Sequence, residues 1–166
     1  DNYCIFADVV RENDTIRVYN VHLQSIKIKS DEFTYVDDNG VVTIDKSAAI
    51  ENVVTKLRKA YPMRAEQTKL VLDHAKDSPF PVVICGDFND TPLSYTYQQF
   101  QKLYTDASRE LSRGISSTYA GRMPAGRIDY IFYSSGLNGS YFHIQNETLS
   151  DHRAVWCRLN INKSDK

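Results

Sequence analysis

Residues 82–85 read Val-Val-Ile-Cys, four apolar residues in succession, and Gly86-Asp87-Phe88-Asn89-Asp90 follows at once. With Pro79 and Pro81 just upstream, this run predicts a strand buried in a core. Its tip carries two carboxylates. Taking an ion out of water costs several kcal/mol unless a partner holds it. Acids at the tip of a core strand are therefore either turn chemistry or a site, and the rest of the chain has to decide between them.

The surrounding periodicity supplies the architecture. "YCIFADVV" and "TIRVYNVHL", joined by Arg11-Glu12-Asn13-Asp14, predict a β-hairpin over 3–23. A polar excursion follows, with a turn at Asp38-Asn39-Gly40. From Ser47 to about Asp77 the spacing becomes helical, with Ala49, Ile50, Val53, Val54 and Leu57 as one apolar stripe. Pro62 is expected to break or kink that helix, which restarts over Arg64–Ala75. Thr91-Pro92-Leu93-Ser94 reads as a turn into a short helix to about Leu103, with Ser94 as N-cap. Residues 104–126 read as loop, and strands are expected at 128–133, 141–145 and 154–161, with a frayed tail over 160–166. About six strands and two or three helices, the helices confined to the middle third, predict an α/β (α+β) layered fold on a mostly antiparallel sheet.

Composition narrows the function. The formal net charge of -1 gives no support to a protein that lives on non-specific DNA affinity. Three cysteines, Cys4, Cys85 and Cys157, without CxxC spacing, read as buried free thiols rather than a zinc site or disulfide framework. No apolar run approaches the ~20 residues of a membrane helix. No signal peptide precedes Asp1, there is no initiator Met, and the sequence is strand-like almost from its first residue. It reads as a piece of a longer chain.

Polar groups collect at strand ends in four places: Asn20-Val21-His22-Leu23, Gly86–Asp90, Arg127–Phe132 and Leu149–Val155. Each has an ordinary explanation. His22 alone reads as a half-buried sheet histidine, and Asp87 and Asp90 as an Asx turn. Asp129 could pair with Arg127, and Ser150-Asp151 could be turn chemistry; His74 and His143 keep such readings. Together, carboxylates, an amide and imidazoles at the tips of core strands fit phosphoester hydrolysis. Carboxylates hold a hard cation through oxygen, the cation polarises a phosphoryl oxygen, and a histidine held by an aspartate moves a proton.

In this order "NVHL", "GDFND", "RIDYIF" and "SDHRAV" resemble the second half of the endonuclease/exonuclease/phosphatase superfamily, from about Tyr3 to Leu159. The resemblance implies a deoxyribonuclease-I-like layered β-sandwich with flanking helices. Residues 1–166 would form the C-terminal portion of one such domain, about half of a four-layer fold. It further implies a divalent-metal-dependent phosphoester hydrolase, nuclease or phosphatase, using Mg2+ or Mn2+.

By the same resemblance Asp87 orients or deprotonates the attacking water, and Asn89 steadies the phosphate. His152 is the catalytic histidine and Asp129 the aspartate that fixes its ring. His22 donates to a non-bridging phosphate oxygen. Asp151, with Asp87, lies near the metal. Arg113, Arg122 and Arg127 are expected near the rim, able to bind phosphate. The family's metal-ligating glutamate has no counterpart in this sequence, so the chain alone is expected to hydrolyse poorly. A module that binds a phosphorylated ligand without catalysis is the alternative.

The expected partners are a phosphoester substrate, nucleic acid or small molecule, and either a second copy or an N-terminal half. That partner would cover an apolar sheet face drawn from 15–23, 82–85 and 128–133. A bacterial branch sharing "PVVICGDFNDTP" and a helix with "RAEQ" is often preceded by membrane-spanning helices, which implies a parent protein anchored upstream.

Overall fold

The expected hairpin forms: β1 (Tyr3–Arg11) and β2 (Asp14–His22) pair antiparallel from Tyr3 opposite His22 to Arg11 opposite Asp14. Glu12 in its turn takes φ 57°, the left-handed conformation that short hairpin loops use. The structure is a computed structural model describing residues 3–26, 34–36, 42–44, 46–112, 117–121, 126–147 and 149–162. β5 (Val82–Asp87) lies parallel to β2, so the chain must cross over between them. The crossover holds a short hairpin, β3 (Thr34–Val36) with β4 (Val42–Ile44), and then α1 (Lys46–Lys76). The Asp38-Asn39-Gly40 turn lies outside the described residues.

After β5 come α2 (Tyr95–Leu103), β6 (Thr105–Asp106), α3 (Ala107–Leu111), β7 (Asp129–Tyr133), β8 (Leu137–Ile144) and β9 (Val155–Ile161). The main sheet is 5-stranded in the order β1-β2-β5-β7-β6, and β8-β9 form a separate 2-stranded sheet. Every pairing except β2–β5 is antiparallel. Ser94 caps α2 as expected, its side chain accepting from the Tyr97 amide at 3.1 Å.

Strand alternation divides the core. Tyr19, Val21, Val82, Ile84, Tyr130 and Phe132 meet Val71, Leu72 and Ala75 of α1 and Tyr97 and Phe100 of α2. The opposite face carries Val83 and Tyr133, with Ile16, Val18 and Ile131 packed alongside. There it meets Phe142 of β8 and Cys157, Leu159 and Ile161 of β9. The main sheet thus lies between helices and a second sheet, a mixed α/β sandwich of the expected class.

Several expectations are corrected. α1 runs unbroken through Pro62, which sits on an exposed turn where water can serve the carbonyl that proline leaves without a donor. Its described first-half residues pack loosely, with Ile50 66% and Val54 40% exposed, so these two stripe positions are not core. Residues 104–126 are not all loop, because Asp106 ends β6 and caps α3 with a bond from the Ser108 amide at 3.0 Å. Cys4 is exposed, and Cys85 and Cys157 are only half-buried. The open apolar surface is on β1, where Tyr3, Ile5 and Val9 are 61%, 59% and 48% exposed. On the face expected to be open, Ile16, Val18, Val83, Ile131 and Tyr133 instead pack with residues of β8–β9. Among the described residues no helix is long and apolar enough to cross a membrane.

Candidate active site

The acidic tip of β5 is sorted residue by residue. Gly86 has φ 131°, and a Cβ there would run into the Val21 carbonyl, so only glycine lets β5 approach β2 this closely. The Asp87 carbonyl accepts from the Leu23 amide at 2.9 Å, the last rung before the two chains leave the sheet. Phe88 turns to the helix side and is 1% exposed, with ring centroids 4.8 Å from Phe100, 5.2 Å from Tyr130 and 5.5 Å from Phe132. Asn89 takes φ 52°. Asp90 is buried against Arg64, with Oδ2 3.0 Å from Nη1. Of the two acids, only Asp87 is directed to the face opposite the helices, at the sheet's end.

Register then assembles the site. His22 of β2 pairs with Asp87 of β5, and Asp87 with Asp129 of β7, which puts the three in one row on one face. The row lies where β2 and β5 end and β7 begins. Nε2 of His22 is 3.7 Å from Oδ2 of Asp87. The fourth residue comes from the segment before β9, where His152 places Nδ1 at 3.0 and 3.1 Å from the two oxygens of Asp129. The expected Asp129–His152 pair is therefore present. A carboxylate only accepts, so Nδ1 carries the proton of this bond and Nε2 is the ring nitrogen outside it.

Asn89 is held by the same acid. Its amide donates to Asp87 Oδ1 at 2.7 Å, and Nδ2 donates to Asp87 Oδ2 at 2.9 Å and to the Leu23 carbonyl at 3.1 Å. Asn89 thus fixes the plane of the Asp87 carboxylate and ties it to the end of β2. Asp151 is exposed and accepts from Ser150 Oγ at 3.1 Å. Cys85 sits one row behind Asp87, half-buried, donating to the Tyr19 carbonyl at 3.3 Å.

Electrostatics follow from this crowding. Burial pushes the Asp87 carboxyl above its ordinary range and the Asp129 charge adds to that, against the Asn89 amide, His152 and His22. For His152, burial pulls the imidazole pKa down. The Asp129 charge and hydrogen bond outweigh that, with help from Asp87 and Asp151, and the net direction is up. A carboxylate made more basic than usual, near an imidazole held by a second carboxylate, is an arrangement suited to proton transfer.

Two residues not singled out from the sequence hold this pair. Thr118 is fully buried, and its hydroxyl accepts from the Ile128 and Asp129 amides at 3.0 and 3.1 Å. Tyr119 bridges to the His152 backbone and sets its ring edge-on to the imidazole, centroids 5.4 Å apart. A Thr-Tyr pair ten residues before an acid-bearing strand offers no pattern to search for. Arg127 departs from its expected role. Its guanidinium is bound to Asp106 at 2.7 Å and stacked over Tyr130 at 4.7 Å, turned away from the row and into the core. Arg113 and Arg122 lie outside the described residues.

Asp87, Asp129 and His152 each offer one ligand atom, all within 4.8 Å of one another, and with Nδ1 of His152 committed to Asp129 it is the two carboxylates that would hold a cation. Two carboxylates this close, one with its pKa raised partly by the other, are an arrangement that a divalent cation relieves. Asp151 is not in that group.

Comparison with known proteins bears on the whole chain. The sequence model of the Endonuclease/Exonuclease/phosphatase family matches residues 11–152. No curated protein matches the sequence. Among solved structures, an endonuclease/exonuclease/phosphatase from Bacteroides vulgatus superposes with TM-score 0.67 at 20% identity, over 97% of this chain and 56% of its own. TDP2 of D. rerio, complexed with a single-strand DNA product, gives TM-score 0.64 at 17% identity, over 96% and 62%. A mannosyl-6-phosphatase of Bacteroides thetaiotaomicron gives 0.51 at 16%, over 89% and 52%. At these identities the likeness is one of fold, and the chain spans about half to three-fifths of each of those structures.

Proposed function

The chain belongs to the endonuclease/exonuclease/phosphatase family, and on that premise we propose that it carries part of the active site of a divalent-metal-dependent phosphoester hydrolase. The observation that carries the reading is the row His22–Asp87–Asp129 with His152 bonded to Asp129. Asp87, oriented by Asn89, takes the proton of the attacking water, a task suited to a carboxylate more basic than usual. His152, with Nδ1 committed to Asp129, presents Nε2 to a phosphoryl oxygen and favours the protonated form that donates to it. His22, across the row, is placed to donate to a second phosphoryl oxygen. Mg2+ or Mn2+ held by the carboxylates of Asp87 and Asp129, with Asp151 as the further ligand expected from the resemblance, would supply Lewis-acid polarisation and charge neutralisation.

The substrate class is a phosphoester, and nucleic acid and small phosphorylated molecules both fit. The TDP2 structure holds a DNA product, whereas the Bacteroides thetaiotaomicron protein is a mannosyl-6-phosphatase. Residues 1–166 act as the C-terminal portion of one domain, and the parent protein provides the remaining metal ligands. The test assays the parent protein and this chain side by side on a phosphodiester, a phosphomonoester and DNA, with Mg2+ or Mn2+ and with chelator. Metal-dependent hydrolysis by the parent is expected, falling at least ~100-fold in Asp87→Ala and in His152→Ala. Undiminished turnover in both variants would overturn the assignment, and equal activity from the isolated chain would overturn the division of the site.

A further inference from the structure

The "RAEQ" stretch of α1 has no part in the row, yet two of its side chains reach it indirectly. Arg64 is 1% exposed, a burial that arginine rarely reaches without partners. Its Nε donates to the Gln24 carbonyl at 2.8 Å, while Nη1 lies 3.0 Å from Asp90 Oδ2. One helical turn on, Gln67 Oε1 accepts from the Gln24 amide at 2.9 Å. Both backbone groups of Gln24, just past the end of β2, are thus held by side chains of one helix. The residue before it is held from the other loop, since Leu23 donates to the Asp87 carbonyl and its own carbonyl accepts from Asn89 Nδ2.

Every backbone polar group of residues 23 and 24 is therefore taken by α1 or by the Asp87–Asn89 turn. These are the two chain segments that leave the sheet with His22 and Asp87. Beyond the Leu23 rung, the Phe88 amide donates to the Ile128 carbonyl at 2.9 Å, which ties the turn to β7 and not to the His22 segment, so the mutual distance of the two segments depends on what clamps them. The arginine fork reaches the carbonyl and the carboxylate from two separate, rigidly spaced nitrogens, whereas a lysine would have to reach both from one.

We propose that Arg64 and Gln67 are positioning residues, a clamp on α1 that fixes the His22 strand end relative to the Asp87–Asn89 turn. The catalytic consequence rests on the phosphoesterase reading above; the clamp itself does not. Gln67→Leu removes the acceptor, Gln67→Glu keeps it, and Arg64→Lys keeps the charge but not the fork. Site-resolved amide hydrogen exchange reads the clamp without substrate or metal. In Gln67→Leu the Gln24 and Asn89 amides should exchange about 10-fold faster, with Ile84 and Phe132 in the sheet within about 2-fold of wild type. Gln67→Glu should restore wild-type exchange, and Arg64→Lys should loosen Asn89 as Gln67→Leu does.

Exchange at Asn89 unchanged in Gln67→Leu, or faster by the same factor throughout the sheet, would overturn the proposal. If Arg64→Lys does not fold, the Gln67 pair still decides. In the parent protein kcat should fall about 10-fold in Gln67→Leu with KM within about 3-fold, and recover in Gln67→Glu, because positioning acts on the transition state. An active wild type whose kcat is untouched by Gln67→Leu would sink the positioning role. A wild type inactive on every substrate would instead sink the phosphoesterase reading, leaving the clamp to the exchange data.

Discussion

At the residue scale, the informative event is the division of labour within Asp87-Phe88-Asn89-Asp90. One acid lies on the face opposite the helices at the end of the sheet, the aromatic ring fills the helix-side core, and the second acid neutralises a buried arginine. The motif suggested a site and the family resemblance singled out Asp87; the place of Asp90 was not legible, because its partner Arg64 lies 26 positions away in sequence. His152 allows a test on pH. Its folded pKa is raised above the ordinary 6.5, so the stability its charged form contributes is fully present below 6.5 and is lost as pH rises through the folded value. In metal-free buffer the melting-temperature gap between wild type and His152→Gln should narrow as pH climbs from about 6 to about 8.5. A gap that is constant, or widens, over that range contradicts the Asp129–His152 assignment.

At the element scale, the polar anchors around the site carry much of the order. Asp106 is buried with Arg127, accepts from Tyr97 Oη at 2.8 Å, and caps α3, so one carboxylate joins α2, α3 and the lead into β7. Asp106→Ala would strand a buried guanidinium, and urea denaturation should register a loss of about 3–5 kcal/mol. A loss under about 1 kcal/mol would mean that water reaches Arg127 freely. In α1, Pro62 lies on an exposed turn of a helix whose described first-half residues pack loosely. Pro62→Ala returns a backbone donor and removes the ring clash, so the melting temperature should rise, with a gain bounded by the ~3 kcal/mol cost of an interior proline. A lower melting temperature would show that the proline geometry is needed to fit α1 over the sheet.

At the scale of the whole molecule, coverage of the main sheet is uneven. β5 and β7 are enclosed by helices on one side and β8–β9 on the other, while β1 is exposed along its whole length. Tyr3, Ile5 and Val9 share a face of that edge strand, and both apolar side chains and unpaired backbone groups invite association. Sedimentation of this chain should reveal concentration-dependent self-association that Ile5→Lys reduces while circular dichroism stays unchanged. A monomer at all concentrations would mean that the β1 face is tolerated in water.

The sequence by itself singled out the residues that meet in the row, His22, Asp87 and Asp129, and His152 beside them. Period-two strands at 3–23 and a buried run ending in Asp87 carried a layered α/β fold, and the order of "NVHL", "GDFND", "RIDYIF" and "SDHRAV" carried the family and the Asp129–His152 pair. These are local patterns, set by side-chain alternation and by short spacings along the chain. What only the tertiary structure decided was adjacency. Parallel pairing of β2 with β5 across a 31-residue helix brought His22 level with Asp87, and antiparallel β7 set Asp129 beside it. The fold also buried Arg127 with Asp106 where the sequence had placed it at a phosphate-binding rim, and it drew Arg64, Gln67, Thr118 and Tyr119 around the site. Strand register and long-range burial depend on which surfaces the whole chain can hide at once, and no window of the sequence contains that information.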